Sequence, residues 1–479
     1  MKHKTCNMKQ KLTTYNLQLT TNESSQRGSM LVFIIVGIFF VSLIILGILT
    51  TATGELRVLR STVQKELALQ IAEAGANYYQ WHLSHFPTDY QDGTGAAGPY
   101  VHDYTDSDTG QVVGRFELSI TQPSVGSTIV TITSTGYSLE NTNNKRTITA
   151  RYGIPSLAKY AFLTNDLVWI GAASSVSGQL HSNNGIRFDG TGNAPITSAK
   201  PTYTCPASQG CSGNPTKNGV WGSAPASTQA FWDFPVPTVD FSTMTSDLAT
   251  MKSDAQGSGV YLPPSSAQGY SLVFEINGGV PQVDIYKVTS LRAHATGYDG
   301  ANVAHTEDLD YIGRTLLLSN QNYPSNGIFY IEDKVWVEGT VGGRALVVAS
   351  KLPYNAATAP SILIPNNILY TVKDGTVSLG LIGQKDVLMT YFVPNTLEVD
   401  AALIAQNGSI QRYDFSGNLK TSITLYGSVM TFGRRILYWV GSSGFPTINT
   451  IYDANLLYGP PPSFPLTADG YQQISWSSD

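Results

Sequence analysis

Residues 30–49, Met-Leu-Val-Phe-Ile-Ile-Val-Gly-Ile-Phe-Phe-Val-Ser-Leu-Ile-Ile-Leu-Gly-Ile-Leu, run without a charge. At about 1.5 Å per residue they span a hydrocarbon core of about 30 Å as a helix. After Gly54 the apolar pattern turns periodic: Leu56, Leu59, Val63, Leu67, Ile71, Ala74, Tyr78 and Trp81 recur at steps of three and four. That is one face of an amphipathic helix continuing out of the bilayer toward a soluble domain. Pro87 and the glycines of 93–98 end it. From 112–121, 127–135 and 146–152 apolar and polar residues alternate, as in Phe116, Leu118 and Ile120, and three antiparallel strands are expected to cover the helix. Short strands separated by Gly, Ser and Asn follow over 166–189. Residues 190–270 read as an irregular Pro/Gly/Ser-rich insertion with one short helix near 243–253, and strand signals return at Tyr270.

A spacing of 22 residues separates Leu381-Ile382-Gly383-Gln384, Leu403-Ile404-Ala405-Gln406 and Leu425-Tyr426-Gly427-Ser428. It predicts one coil per repeat of a right-handed β-solenoid, with Gly383, Ala405 and Gly427 where the chain turns; a β-sandwich is the alternative. The fold class is therefore mainly β: a long N-terminal transmembrane and amphipathic α-helix, a small antiparallel sheet, then a large all-β domain.

Charge decides topology and excludes one class of partner. Lys2, Lys4, Lys9, Lys11 and Arg27 precede the span against one acid, Glu23, so this end stays in the cytoplasm and the rest lies outside. The net charge is −5, and no stretch beyond residue 66 gathers enough Lys or Arg to neutralise a row of phosphates, so nucleic acid is not an expected partner. Cys205 and Cys211, in Cys-Pro-Ala-Ser-Gln-Gly-Cys, either close a short disulfide in an oxidising compartment or remain two free thiols.

Candidate chemistry is sparse, and no catalytic residue, cofactor or metal site is expected. His294, His305, Glu307, Asp308 and Asp310 share a short polar stretch, read as a solvated acidic loop without the acid spacing of a calcium loop. His181 sits at a strand end, where hydrogen bonding to a turn is its expected role. Gly93-Thr94-Gly95-Ala96-Ala97-Gly98 has dinucleotide-binding spacing but follows a helix and precedes Pro99, so it is rejected. Most of the 26 tyrosines and 7 tryptophans are expected to be structural, and the Pro-rich tail 458–465 is expected to lie over the last coil and protect its edge.

Gln26-Arg27-Gly28-Ser29-Met30, just before the apolar run, resembles the processing site of type IV prepilins, which implies a cut between Gly28 and Ser29 by a prepilin peptidase. Ala72-Glu73-Ala74-Gly75 with Asn77-Tyr78-Tyr79 resembles the helix of PilX-like minor pilins and pseudopilins. The resemblance covers about residues 26–85 and departs from the family at Phe33, where most pilins carry Glu. It implies a cytoplasmic leader 1–28, a helix 29–86, a pilin-like sheet 87–155 and an all-β domain 156–479. The implied role is a structural subunit of a type IV pilus-type filament, at its tip in one version, displaying the β domain for adhesion or for binding a surface glycan or protein. Other pilins, the peptidase and membrane lipid are its implied partners. Two rivals stand beside it: a membrane-anchored polysaccharide-active enzyme and a non-pilin envelope surface protein.

Overall fold

In the computed structural model, residues 27–241, 248–293, 295–305, 309–467 and 469–479 are described. Two compact units emerge, residues 1–67 and 68–479. The helix Arg27–His85 supplies all of the first unit's described residues. Its apolar residues within 30–49 are all exposed, Val36 least at 43 %. An uncovered apolar surface on every side is what a bilayer-spanning helix presents when lipid is its solvent.

Within the second unit the rest of the helix, from Ala68, packs on an antiparallel sheet, Tyr100–Thr105, Val112–Thr121, Ile129–Ser138 and Asn141–Gly153. The buried stripe is not the one the periodicity picks out. Ala68, Ile71, Ala72, Ala76, Tyr79 and Leu83 are buried, whereas Trp81 is 55 % exposed and Leu56, Leu59 and Val63 are exposed too. Close approach selects the small residues. A Cβ on Gly136 would collide with the Ala68 carbonyl and the Ala72 amide, and one on Gly75 with Ser134 and the Phe116 ring. Helix backbone and sheet therefore meet across glycine and alanine, where bulkier side chains find no room.

The small sheet holds more than the three expected strands. Tyr100–Thr105 pairs with Val112–Thr121, and the C-terminal strand Gln472–Ser478 pairs antiparallel with Asn141–Gly153. The sequence places that strand in the all-β domain 156–479, whereas it pairs within the small sheet. The reason is topological: the chain leaves and re-enters the small sheet through two adjacent segments, joined by the Ser156 and Leu466 bridge, the Ser156 amide to Leu457 and the Thr467 amide to Pro155.

Strands of the large domain stack in parallel. One column of register partners runs Val260, Phe329, Val347, Leu381, Leu403, Val429, Phe162, Leu180, Ile196 and Trp232. From Phe329 to Ile196 every member is buried in one core cluster. On the opposite face the next residues, Tyr330, Val348, Ile382, Ile404, Met430 and Leu163, form a second cluster. The column order is not chain order. The chain enters the stack in its middle at Phe162, runs to one end at Trp232, crosses to the other end, and returns strand by strand until Val429 pairs with Phe162.

This register corrects two expectations. The 22-residue period holds from Leu381 to Leu403, but Leu403 pairs with Val429, 26 residues on, and Leu425 pairs with Val399. Lengths of the loops between stacked strands vary, so hydrogen-bonded register rather than a fixed repeat aligns the strands. Gly383 and Ala405 do close their strands, whereas Gly427 lies inside Ser422–Thr431, at φ 135° against the Ala401 carbonyl, a conformation that favours glycine. Residues 190–270 are not wholly irregular, because Ile196, Val220 and Trp232 each pair in parallel with the coil before them. Their strands are two or three residues long, too short to carry a periodic signal. The helix of this segment is Leu248–Ser258, and residues 242–247 lie outside the described residues.

The Pro-rich tail also differs from expectation. Phe464 is 3 % exposed within the second cluster, and Arg344 donates from Nη2 to the Pro460 carbonyl at 2.8 Å and from Nη1 to Gly375 at 2.7 Å. Burial of Phe464 draws the tail along the flank of the stack, across the strands Arg344–Ala349 and Ser378–Gly383, instead of over its end.

The contact between helix and sheet yields a prediction. Gly136→Ala lowers stability by about 1–3 kcal/mol, the usual cost of overpacking, because the new methyl meets backbone. Gly257→Ala, where a Cβ meets nothing within 4 Å, causes no such loss. Denaturant unfolding of the chain in detergent micelles, followed by circular dichroism, checks both.

Candidate functional site

A cavity of about 530 Å³ opens where the two arms of the stack meet. Its walls come from the coil around Leu167–Ser174, the loop carrying Ser208 and Gln209, and the segment 434–440. Three aromatic rings, Trp169, Tyr438 and Trp439, line it together with Arg434 and Arg435. Neither arm could build this site alone, since Gln209 and Arg434 on facing walls are 225 residues apart in sequence and the Val429 to Phe162 pairing brings the two arms side by side.

One wall is locked by a polar network. Asp189 accepts from Trp169 Nε1 at 2.8 Å, from Arg187 Nε at 2.7 Å, and from the amide and hydroxyl of Ser223 at 2.8 and 2.9 Å. The Arg187 guanidinium lies 4.2 Å from the Trp169 ring and 5.2 Å from Trp221, a cation held between two indoles. Burial would push the Asp189 carboxyl up, but the Ser223 and Trp169 hydrogen bonds and Arg187 outweigh it and hold it below the usual 3.8.

The disulfide loop supplies the second wall. Cys205 and Cys211 are bonded, with Cα atoms 5.9 Å apart. Between them Gln209 is buried: its Nε2 donates to the Val168 carbonyl at 2.7 Å, its Oε1 accepts from Tyr203 Oη at 2.6 Å, and its carbonyl accepts from Arg187 Nη1 at 2.6 Å. Tyr203 in turn accepts from Trp221 Nε1 at 2.7 Å.

The third wall carries the cations. Arg434 donates to Ser208 Oγ at 2.9 Å and lies 3.5 Å from Asp166. Arg435 is 8 % exposed, donates from Nη1 to Thr450 Oγ1 at 2.8 Å and lies over the Phe162 ring at 4.4 Å. Burial pushes its guanidinium down to about 10. Trp439 Nε1 donates to the Arg412 carbonyl at 2.9 Å. With both tryptophan N–H groups engaged inside the protein, the indoles offer the cavity ring surface rather than donors.

The residues singled out in the sequence do not converge here. His305 Nε2 pairs with Asp299 at 2.9 Å and stacks on Tyr413, with ring centroids 4.2 Å apart. Asp310 accepts from Thr390 Oγ1 at 2.5 Å and from the Tyr391 amide at 3.0 Å. His294, Glu307 and Asp308 lie outside the described residues. Among the described residues no three His, Cys, Asp or Glu side chains approach as metal ligands would. His181 follows Leu163 in the outer column of the stack, buried, bonded to Thr197 Oγ1 at 2.9 Å and Asn183 Oδ1 at 3.0 Å, and burial lowers its pKa. Gly28 and Ser29 fall in the first turn of the N-terminal helix. The sequence shows the tryptophans only collectively and does not single out Arg187 and Asp189; the alternation in Ile186-Arg187-Phe188, the strand that ends just before Asp189, is the signal it offers.

Two outcomes follow from these walls. Replacing both cysteines by serine lowers stability by about 2 kcal/mol, the entropy of closing so short a loop, and shifts the melting temperature as reducing agent does in the unaltered chain. Asp189, with its folded pKa below the unfolded value, contributes stability that is present above pH 3.8 and lost as pH falls through the folded value. Asp189→Ala therefore costs about 3 kcal/mol at pH 7 and less on acidification toward pH 2, read from tryptophan fluorescence during urea unfolding at each pH.

Comparison with known proteins gives little to set beside this geometry. No protein-family model and no curated protein matches the chain. Among solved structures it is similar to the competence-associated pilin ComZ from Thermus thermophilus, at 12 % identity and a TM-score of 0.32, over 87 % of this chain and 97 % of that one.

Proposed function

We propose that the protein is a minor pilin-like or pseudopilin-like subunit of a type IV pilus-type system. Residues 30–49 hold it in the cytoplasmic membrane with the N-terminus inside, and the β domain is displayed outside for adhesion or partner binding. One observation carries this reading: a single helix, Arg27–His85, has an apolar segment uncovered on every side and, from Ala68 onward, buries an alanine and glycine stripe under an antiparallel sheet. Such a segment has lipid as its solvent before assembly and the equivalent helices of other pilins afterwards. A peptidase cut between Gly28 and Ser29 releases the helix for that second packing.

Phe33, where most pilins carry Glu, removes the charge that would neutralise a neighbour's terminal amine, and this supports a place at a filament tip rather than along it. The parallel register ladder supports reading the large domain as a β-solenoid whose flank presents a binding surface. The cavity's own titratable wall residues are arginines and a tyrosine, a set suited to binding rather than hydrolysis. Phe33 equally supports a second reading, a permanently anchored envelope protein that is never cut.

Mass spectrometry of the mature N-terminus separates the two readings. With the chain expressed with and without a prepilin peptidase, a terminus at Ser29 is expected that requires both the peptidase and Gly28, and Gly28→Leu abolishes it. A terminus unchanged by the peptidase leaves the anchored envelope protein.

A further inference from the structure

The cavity between the two arms has a charge imbalance that points to the chemistry of its ligand. Among its lining residues are two arginines and no carboxylate. Arg434 has one half-buried acid beside it, Asp166 at 3.5 Å. Among the described residues no acid lies within ion-pair distance of Arg435; its hydrogen bond to Thr450 occupies one N–H of five. A buried cation without a countercharge is costly, and an anion entering the cavity removes that cost. The rest of the wall narrows what carries the anion. Trp169, Tyr438 and Trp439 present flat ring surfaces, and Ser174 and Ser208 bring hydroxyl groups into the same lining. Flat apolar faces beside hydroxyls suit a ring that is apolar on its C–H face and polar at its edge, which describes a pyranose. The volume of about 530 Å³ lies in the range of small-ligand sites.

We propose that this cavity binds an acidic sugar unit of a glycan, its ring against the Trp169, Tyr438 and Trp439 wall and its carboxylate at Arg434 and Arg435. The proposal rests on reading the exported domain as a binding element, and it names that element's ligand class. A fatty carboxylate would leave the hydroxyls unused. Nucleic acid would need a row of cations to follow its phosphates, which the chain lacks.

Titrating the full chain in detergent micelles with trigalacturonate, followed by tryptophan fluorescence and calorimetry, tests this directly. Maltotriose, decanoate and a thymidine trinucleotide serve as counter-probes. Saturable binding of trigalacturonate is expected, about tenfold tighter than maltotriose and weakened by added salt, as one charge-assisted contact implies. Arg434→Gln and Trp439→Leu each weaken it about tenfold with the circular dichroism spectrum unchanged, while Arg115→Gln, on the small sheet, does not. Absence of saturable binding, equal affinity for maltotriose, tighter binding of decanoate or the trinucleotide, or full affinity in Arg434→Gln would each overturn the proposal. Should Trp439→Leu unfold, Arg434→Gln and the salt dependence still decide. The assay does not depend on N-terminal processing, so its failure leaves the anchored pilin-like reading standing, and the converse holds as well.

Discussion

The parallel pairing of Val429, Met430 and Thr431 with Phe162, Leu163 and Thr164 is the contact on which the large domain depends. Together with the pairing of Asn449, Thr450 and Ile451 with Ser175, Val176 and Ser177, it joins late strands of the chain to early ones, so that two arms distant in sequence share one hydrogen-bonded ladder and one apolar column. Without it each arm would expose an open strand edge, a row of unpaired backbone groups that water or another chain must satisfy. The joint also aligns Phe162 against Arg435 and brings Trp169 into one cavity lining with Tyr438 and Trp439, so the cavity exists because the ladder closes there.

A second constraint acts at the small sheet. Helix and strands approach until backbone meets backbone across Gly136, and Gly75 gives way to Ser134 and Phe116. Side chains of ordinary size would hold the layers apart. Two positions of the Ala-Glu-Ala-Gly step, Ala72 and Gly75, thus have a packing reason that owes nothing to family membership: their small size is what lets the sheet close over the helix. The C-terminal strand Gln472–Ser478 completes that sheet, and Arg344, reaching Gly375 and Pro460, ties the returning tail to the stack.

Side chains at the cavity are held by neighbours rather than by solvent. Trp169 is fixed by Asp189, Gln209 by Val168 and Tyr203, and Trp439 by the Arg412 carbonyl. Such tethering lowers the entropy lost on binding and keeps ring surface, not N–H groups, turned to what enters. Arg435 is a buried cation that no acid among the described residues pairs with.

Local signals were legible in the sequence wherever one short segment carries its own physics. The charge-free run 30–49 reports its solvent, Val112–Thr121 declares its strand by alternation, and the Leu381 and Leu403 segments declare their shared register. What tertiary structure decided was everything that depends on partners far along the chain. The helix stripe shifted to small residues because closeness to the sheet, invisible in a periodicity of large apolar side chains, selects them. Strands as short as Val220–Trp221 left no period to read, and Val429 rather than Leu425 faced Leu403 because hydrogen-bond register outranks an equal count of residues. The joining of residue 162 to residue 429, and with it the cavity, is a property of chain order in space. Linear spacing does not encode it, since strands joined by loops of unequal length stack by register and not by number.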